Sequence, residues 1–214
     1  MIFKIKPVED KLAQSAYDKG MKELNEFWGI NWIVSTPSII VVEDRKQMDQ
    51  LLGKKTESWL VGYAFGSKGI RGVAVLDFKN INDESIQKFD EVGYTALIKH
   101  ELCHLFYNSV SQGVTGPNWL CEGLSIYLSG QTRLKVWKIP EKFDGFLESS
   151  WGNLKKAYGE GGFVVELLVN KFGKEKMIQL VKTLPKAREF GEKFKEIYGF
   201  ELNYEEINKL YLEN

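Results

Sequence analysis

The sequence predicts an α+β fold, a small N-terminal β-sheet followed by a mostly helical C-terminal lobe. Three observations carry that prediction. Short β-rich runs cluster between Asn31 and Phe78, apolar residues at helical spacing dominate from about Ile81 onward, and neither repeats nor low-complexity tracts interrupt this order. A chain of 214 residues can bury about 70% of the surface its unfolded form exposes, so one self-sufficient domain over residues 1–214 is the expectation. Within it, residues 1–80 would form a first helix and the sheet, 81–130 the helices that carry the chemistry, and 131–214 a helical lobe.

The elements follow in order. Leu12, Ala16, Met21, Leu24, Phe27 and Trp28 recur at helical spacing, which predicts a helix over Val8 to Trp28 with Gly29 as its stop. Asn31 to Ser35 and Ser38 to Glu43 flank Pro37 and read as strands, and Arg45 to Leu52 reads as a short helix halted by Gly53. Trp59 to Phe65 and Gly72 to Phe78 read as two strands joined across Gly66-Ser67-Lys68-Gly69. Tyr94, Leu97, Ile98, Leu102, Leu105 and Phe106 then mark one stripe of a buried helix spanning about Asp90 to Val110. Pro117 suits the first turn of a further helix that runs to about Ser129, with Gly130 as its stop. Gln131 to Gly152 is loop-like and rich in aromatics. Trp137, Phe143, Phe146 and Trp151 there would either cover a cleft or cap the core. Leu154 to Phe172, Lys174 to Leu184, Ala187 to Tyr198 and Tyr204 to Glu213 are four more helical segments.

Composition excludes several classes of function. With 29 basic and 29 acidic residues the formal net charge is zero, and no basic patch offers a footprint for nucleic acid. No apolar run approaches the ~20 residues of a membrane helix, and Met1 to Pro7 lacks the apolar core of a signal peptide. Two cysteines are no disulfide framework. The expectation is a cytoplasmic protein with no nucleic-acid or membrane partner.

Both histidines of the chain fall in one pentapeptide, His100-Glu101-Leu102-Cys103-His104. At about 100° per residue, positions four apart stand roughly 40° apart and one turn above each other, so two imidazoles can converge on one metal ion. Glu101 projects about 60° from His104, within reach of a metal-bound water, and Leu102 points about 160° from either histidine, into the buried stripe. Either histidine alone would read as an ordinary packed or surface residue. The pair, with the glutamate between, separates a chemical face from a packing face.

A hydrolytic zinc site takes three protein ligands and keeps one position open. No third histidine exists, so the third ligand is Glu, Asp or Cys. Glu122 stands out, set among Trp119, Leu120, Leu124 and Ile126, where a carboxylate without a partner cation would be costly. The mixed nitrogen and carboxylate donor set suits zinc, with Mn²⁺ and Co²⁺ as alternatives. Cys103 and Cys121 read best as small buried hydrophobes, since Cys103 points about 100° from His104. Asn108, one turn beyond His104, is either a neighbour of the ligands or an exposed helix-end residue.

His100-Glu101-x-x-His104 followed by Trp119-Leu120-Cys121-Glu122-Gly123 resembles the gluzincins, the zinc peptidases typified by thermolysin and the aminopeptidase N family. The W-L-x-E-G element is especially similar to aminopeptidase N-type and small peptidase MA-like members. Seventeen residues separate His104 from Glu122, one fewer than in aminopeptidase N relatives. Tyr158-Gly159-Glu160-Gly161 stands where those relatives carry Y-E-K-G, and the stretch from Tyr198 to Tyr211 is similar to the tail of small MA-like domains. The likeness extends from about Trp59 to the C-terminus.

The resemblance implies a zincin-like fold and one Zn²⁺ per chain, held by His100, His104 and Glu122, with a peptide or protein as substrate. It also implies Tyr158 as the stabiliser of the oxyanion; Tyr127, Tyr107 and Tyr63 are the alternatives. Zinc would lower the pKa of a bound water towards about 7, and Glu101 would take its proton and pass it to the leaving amine. Gly72 to Phe78 would be the edge strand that pairs with an extended substrate. The acidic G-x-M-E-N element that anchors a substrate amine in aminopeptidase N relatives is missing between Gly62 and Phe78, which favours endopeptidase action. Two rival readings are a metal-dependent amidase acting on a non-peptide substrate and a non-catalytic zincin-like binding domain.

Overall fold

The structure is a computed structural model that describes residues 7–32, 36–67, 70–148, 154–186 and 189–213. Its contacts divide the chain into two compact units, residues 1–105 and 106–214, and the division falls inside one continuous helix. The α+β order expected from the sequence is present: a three-stranded mixed sheet, the helix that carries both histidines, then a mostly helical C-terminal half.

In the first unit, helix α1 (Lys11–Trp28) starts where Asp10 accepts a hydrogen bond from the Ala13 N–H at 2.9 Å, and it ends at Gly29 with φ 63°. Ala13, Ala16, Gly20, Met21, Leu24 and Trp28 form its buried stripe. Strand β1 (Ser38–Val42) and helix α2 (Arg45–Leu52) follow, α2 being capped by Asp44 and closed by Gly53. Strands β2 (Gly62–Ser67) and β3 (Ile70–Leu76) form an antiparallel hairpin in the register Gly62↔Val75 to Ser67↔Ile70. Of its connecting turn, Lys68 and Gly69 lie outside the described residues.

The sheet order is β1-β3-β2, with β1 parallel to β3. This corrects the expectation that the strand before the histidine helix is an edge strand: β3 is central. The physical reason is visible in its composition. Val73-Ala74-Val75-Leu76 is a continuous apolar run, fully buried, as a strand covered on both faces requires. β2 alternates glycine or alanine with aromatics and forms one border of the sheet. No strand forms at Asn31 and Trp32, and residues 33–35 lie outside the described residues.

The loop leading into β2 is anchored by Arg45. Its guanidinium donates to the carbonyls of Glu57 (2.9 Å), Ser58 (3.3 Å), Leu60 and Glu84 (2.6 Å), and to Thr56 Oγ1 (3.3 Å). A planar fork of five donors suits this convergence of backbone acceptors. After the one-turn helix α3 (Ile81–Glu84), helix α4 (Glu91–Val110) runs for 20 residues. The predicted stripe, Tyr94 to Phe106, is buried throughout, and Ala96, Cys103 and Tyr107 are buried as well. A helix enclosed around most of its girth has few places for polar groups. Lys99 is one of them, paired with Glu23 of α1.

In the second unit, α5 (Asn118–Ser129) ends at Gly130 and crosses α6 (Leu154–Phe172) at very short range. A Cβ on Gly123 would lie 2.5 Å from the Gly161 carbonyl oxygen, and one on Gly162 would lie 2.4 Å from Ile126 Cγ2. Helices α7 (Lys174–Thr183), α8 (Phe190–Tyr198) and α9 (Tyr204–Leu212) complete this half. The loop after α5 contributes to its core. Phe143 and Phe146 are buried and pack edge-on against each other, and they extend to Tyr211, Trp119 and Tyr204. These two aromatics therefore cap a core; Trp137 is half-buried, and Trp151 lies outside the described residues. Among the described residues no helix is long and apolar enough to cross a membrane.

Candidate metal centre

Helix α4 places His100 and His104 on one face, one turn apart. Their Nε2 atoms are 3.2 Å apart, and the rings meet edge-on with centroids 4.9 Å apart and planes at 81°. Two ligands on a tetrahedral zinc, each bonded at about 2.05 Å, stand about 3.3 Å apart. The histidine pair already has that spacing.

Glu122, on the second turn of α5, completes the group. One donor atom from each of His100, His104 and Glu122 lies within 4.8 Å of the other two. Among the described residues this is the one cluster of three His, Cys, Asp or Glu side chains able to hold a metal ion. His100 is buried, and His104 and Glu122 are half-buried. Two imidazoles of intermediate hardness and a harder carboxylate form a donor set that fits a zincin-type metal site.

Glu101 lies beside this group and not within it. Only 8% of its surface is exposed, which is rare for a carboxylate. Its side chain lies against β2: a Cβ on Gly62 would be 2.8 Å from its Cγ and 2.8 Å from its Oε1. No family model, curated protein or solved structure matches this chain. The chemistry of the centre follows from its own donors and their spacing.

The remaining expected residues are placed as follows. Tyr158 is half-buried on α6, one turn before the glycine on which α5 rests. Tyr107 is fully buried and donates to the Gly116 carbonyl at 3.2 Å, a bond that ties the end of α4 to the following loop. Tyr127 is half-buried, its hydroxyl pKa raised by burial and by Glu166 and partly lowered by Arg133. Tyr63, on β2, alternates away from the face that Gly62 turns to Glu101. Cys103 and Cys121 are both buried, as expected for packing residues. Asn108 is half-buried rather than exposed, and its Oδ1 has no hydrogen-bond partner among the described residues.

Sequence reasoning missed the glycine row on β2. Leu76 N–H donates to the Val61 carbonyl (3.0 Å), so Val61 and Leu76 form a bonded pair directly opposite each other. By antiparallel alternation, Tyr63 and Phe65 bond to β3, while Gly62, Ala64 and Gly66 turn their N–H and C=O groups outward. Gly-Tyr-Ala-Phe-Gly was the available signal: small residues at every second position mark a strand face that something else approaches closely. Glu160 was missed as well. Its Oε2 accepts the backbone N–H groups of Asp144 (3.1 Å), Gly145 (3.0 Å) and Phe146 (3.0 Å), which ties the aromatic loop to α6.

Proposed function

We propose that this chain is a zinc-dependent peptidase of gluzincin type, with endopeptidase action favoured. The single observation behind this reading is the convergence of His100, His104 and Glu122 next to a buried, non-ligating Glu101. His100, His104 and Glu122 would hold the zinc, whose chemistry when bound is to acidify a water and polarise a carbonyl. Glu101 accepts the proton of the attacking water at a carboxylate oxygen and delivers it to the leaving nitrogen. Tyr158 donates its hydroxyl proton in a hydrogen bond to the oxyanion as it forms.

The substrate would be an extended peptide lying along β2, the border strand that replaces β3 in this role. Outward-turned backbone groups at Gly62, Ala64 and Gly66 provide the rungs for such pairing. Glu101 favours catalysis over a metal site that only binds, because a carboxylate next to the histidine pair on the same helix can act as general base towards a water at the metal. The zinc assignment is tested first by elemental analysis, with one zinc per chain expected. E101Q is then expected to keep its zinc and lose peptide cleavage by on the order of 1,000-fold. Cleavage of acyl amides without peptides would indicate an amidase. Zinc binding with no turnover in the unaltered protein would leave a binding domain.

A further inference from the structure

Gly62 occupies a position that its backbone does not explain. It lies within strand β2 and is not among the glycines with positive φ, so any residue could adopt its conformation. Space explains it. A Cβ there would stand 2.8 Å from Glu101 Cγ, 2.8 Å from Oε1 and 3.0 Å from Cδ, closer than carbon atoms pack. Gly72, across the sheet, differs in kind, since its missing Cβ would meet the Ser38 carbonyl oxygen and the Phe65 ring, both structural neighbours. Of these two strand glycines, Gly62 is the one whose empty side-chain volume is filled by the carboxylate beside the histidine pair.

A glutamate on a helix has three side-chain torsions and can sweep its carboxylate over several ångströms. Here one side of that sweep is closed by the β2 backbone. The same residue turns its N–H and C=O outward along the border where a peptide would pair. We infer that Gly62 is a positioning residue: by having no side chain, it lets the Glu101 carboxylate rest on β2 and sets its place relative to a peptide paired with that strand. This inference rests on the reading of Glu101 as the proton-transfer group.

The test combines G62A with E101D, which withdraws the carboxylate by one methylene. In the zinc-loaded protein, G62A is expected to lower kcat on the order of 100-fold, with KM within about threefold and one zinc per chain retained. A crystal structure of G62A should show the Glu101 carboxylate displaced from the strand by about 1 Å or more. In the E101D background, where the space is vacant, adding G62A should change kcat by less than about threefold. An equal loss in both backgrounds, or an undisplaced carboxylate in G62A, would overturn the inference. Should G62A fail to fold, the G62A/E101D protein is expected to fold and bind zinc, and a double variant as unfolded as G62A would count against it. The two readings fail separately: full turnover by E101Q removes the proton-transfer role, whereas an inactive E101Q beside an unimpaired G62A removes only the positioning role.

Discussion

Helix α4 holds His100, Glu101 and His104 within five consecutive residues, whereas Glu122 and Tyr158 stand on two separate helices, α5 and α6. The first arrangement is set by helix geometry alone. Once α4 forms, the two imidazoles stand one turn apart on one face, and their Nε2 atoms are 3.2 Å apart. The second requires residues from separate helices to be brought together, and α5 and α6 approach closely at Gly123, Gly161 and Gly162. One part of the centre is local and robust. The other is a tertiary construction that a single methyl group can disturb.

Removing ligands should give the largest effects and tests the comparison directly. On the proposed function, H104A is expected to lose both zinc and turnover, because one imidazole on a rigid helix cannot replace a converging pair. E122A should also weaken zinc binding, by more than the ~10–100-fold typical of losing a partner outside the ligand set. A competition titration against a chelator of known affinity checks both. Zinc affinity unchanged in E122A would remove α5 from the centre and leave α4 as its sole contributor.

Next comes the helix crossing itself. The Cβ of G123A would press on the Gly161 backbone, at 2.5 Å from its oxygen and 2.6 Å from its carbon. Backbone yields poorly, so a loss of about 3 kcal/mol is expected, roughly 6–12 °C in Tm for a chain of this size. G191A, where a Cβ meets nothing within 4 Å, is the control and should be neutral or stabilising by about 0.5 kcal/mol. E160A removes the acceptor shared by the three N–H groups of residues 144–146 and should cost about 2 kcal/mol. E160Q, which keeps one carbonyl oxygen, should recover part of that loss. Amide exchange at Gly145 and Phe146 localises the effect: if those amides stay protected in E160A, the loop is held by its aromatics and the carboxylate is dispensable.

The same contrast explains what the sequence made legible. The bounds of α2 and α6 agree with expectation, and α4 differs by one residue, because caps, glycine stops and a 3.6-residue period act over short range. His100, Glu101 and His104 were readable because their spacing is helical. Glu122 was readable only through its apolar setting and the motif around it. Sheet order was not readable from turn chemistry. It follows from the parallel arrival of β1 on β3, a long-range pairing whose trace in the sequence is the unbroken apolar run Val73 to Leu76. The contact between Gly62 and Glu101 joins residues 39 positions apart in sequence, and no local period encodes it.

The smallest expected effect concerns the approach to β2, on the sheet side of the comparison. Asp49 Oδ1 accepts the Thr56 hydroxyl at 2.6 Å and the Thr56 N–H at 2.7 Å. The side-chain hydrogen bond from Thr56 is the main reason its carboxyl pKa lies below the usual aspartate value of 3.8, with the Thr56 N–H, Arg45 and Lys55 acting in the same direction against partial desolvation. A depressed folded-state pKa contributes stability that is fully present above the unfolded value and is lost as pH falls through the folded one. In T56V the hydroxyl is gone while the N–H remains, so the Asp49 titration should move upward part of the way, measured by NMR of the side-chain carboxyl. Any stability difference between T56V and the parent that depends on this carboxylate should shrink as pH falls below about 3.8. An Asp49 titration identical in the two proteins would mean that the backbone N–H and the nearby cations hold the carboxylate without the hydroxyl. The loop into β2 would then rest on Arg45 and its row of carbonyls, and R45A would be the substitution that shifts the Gly62 border.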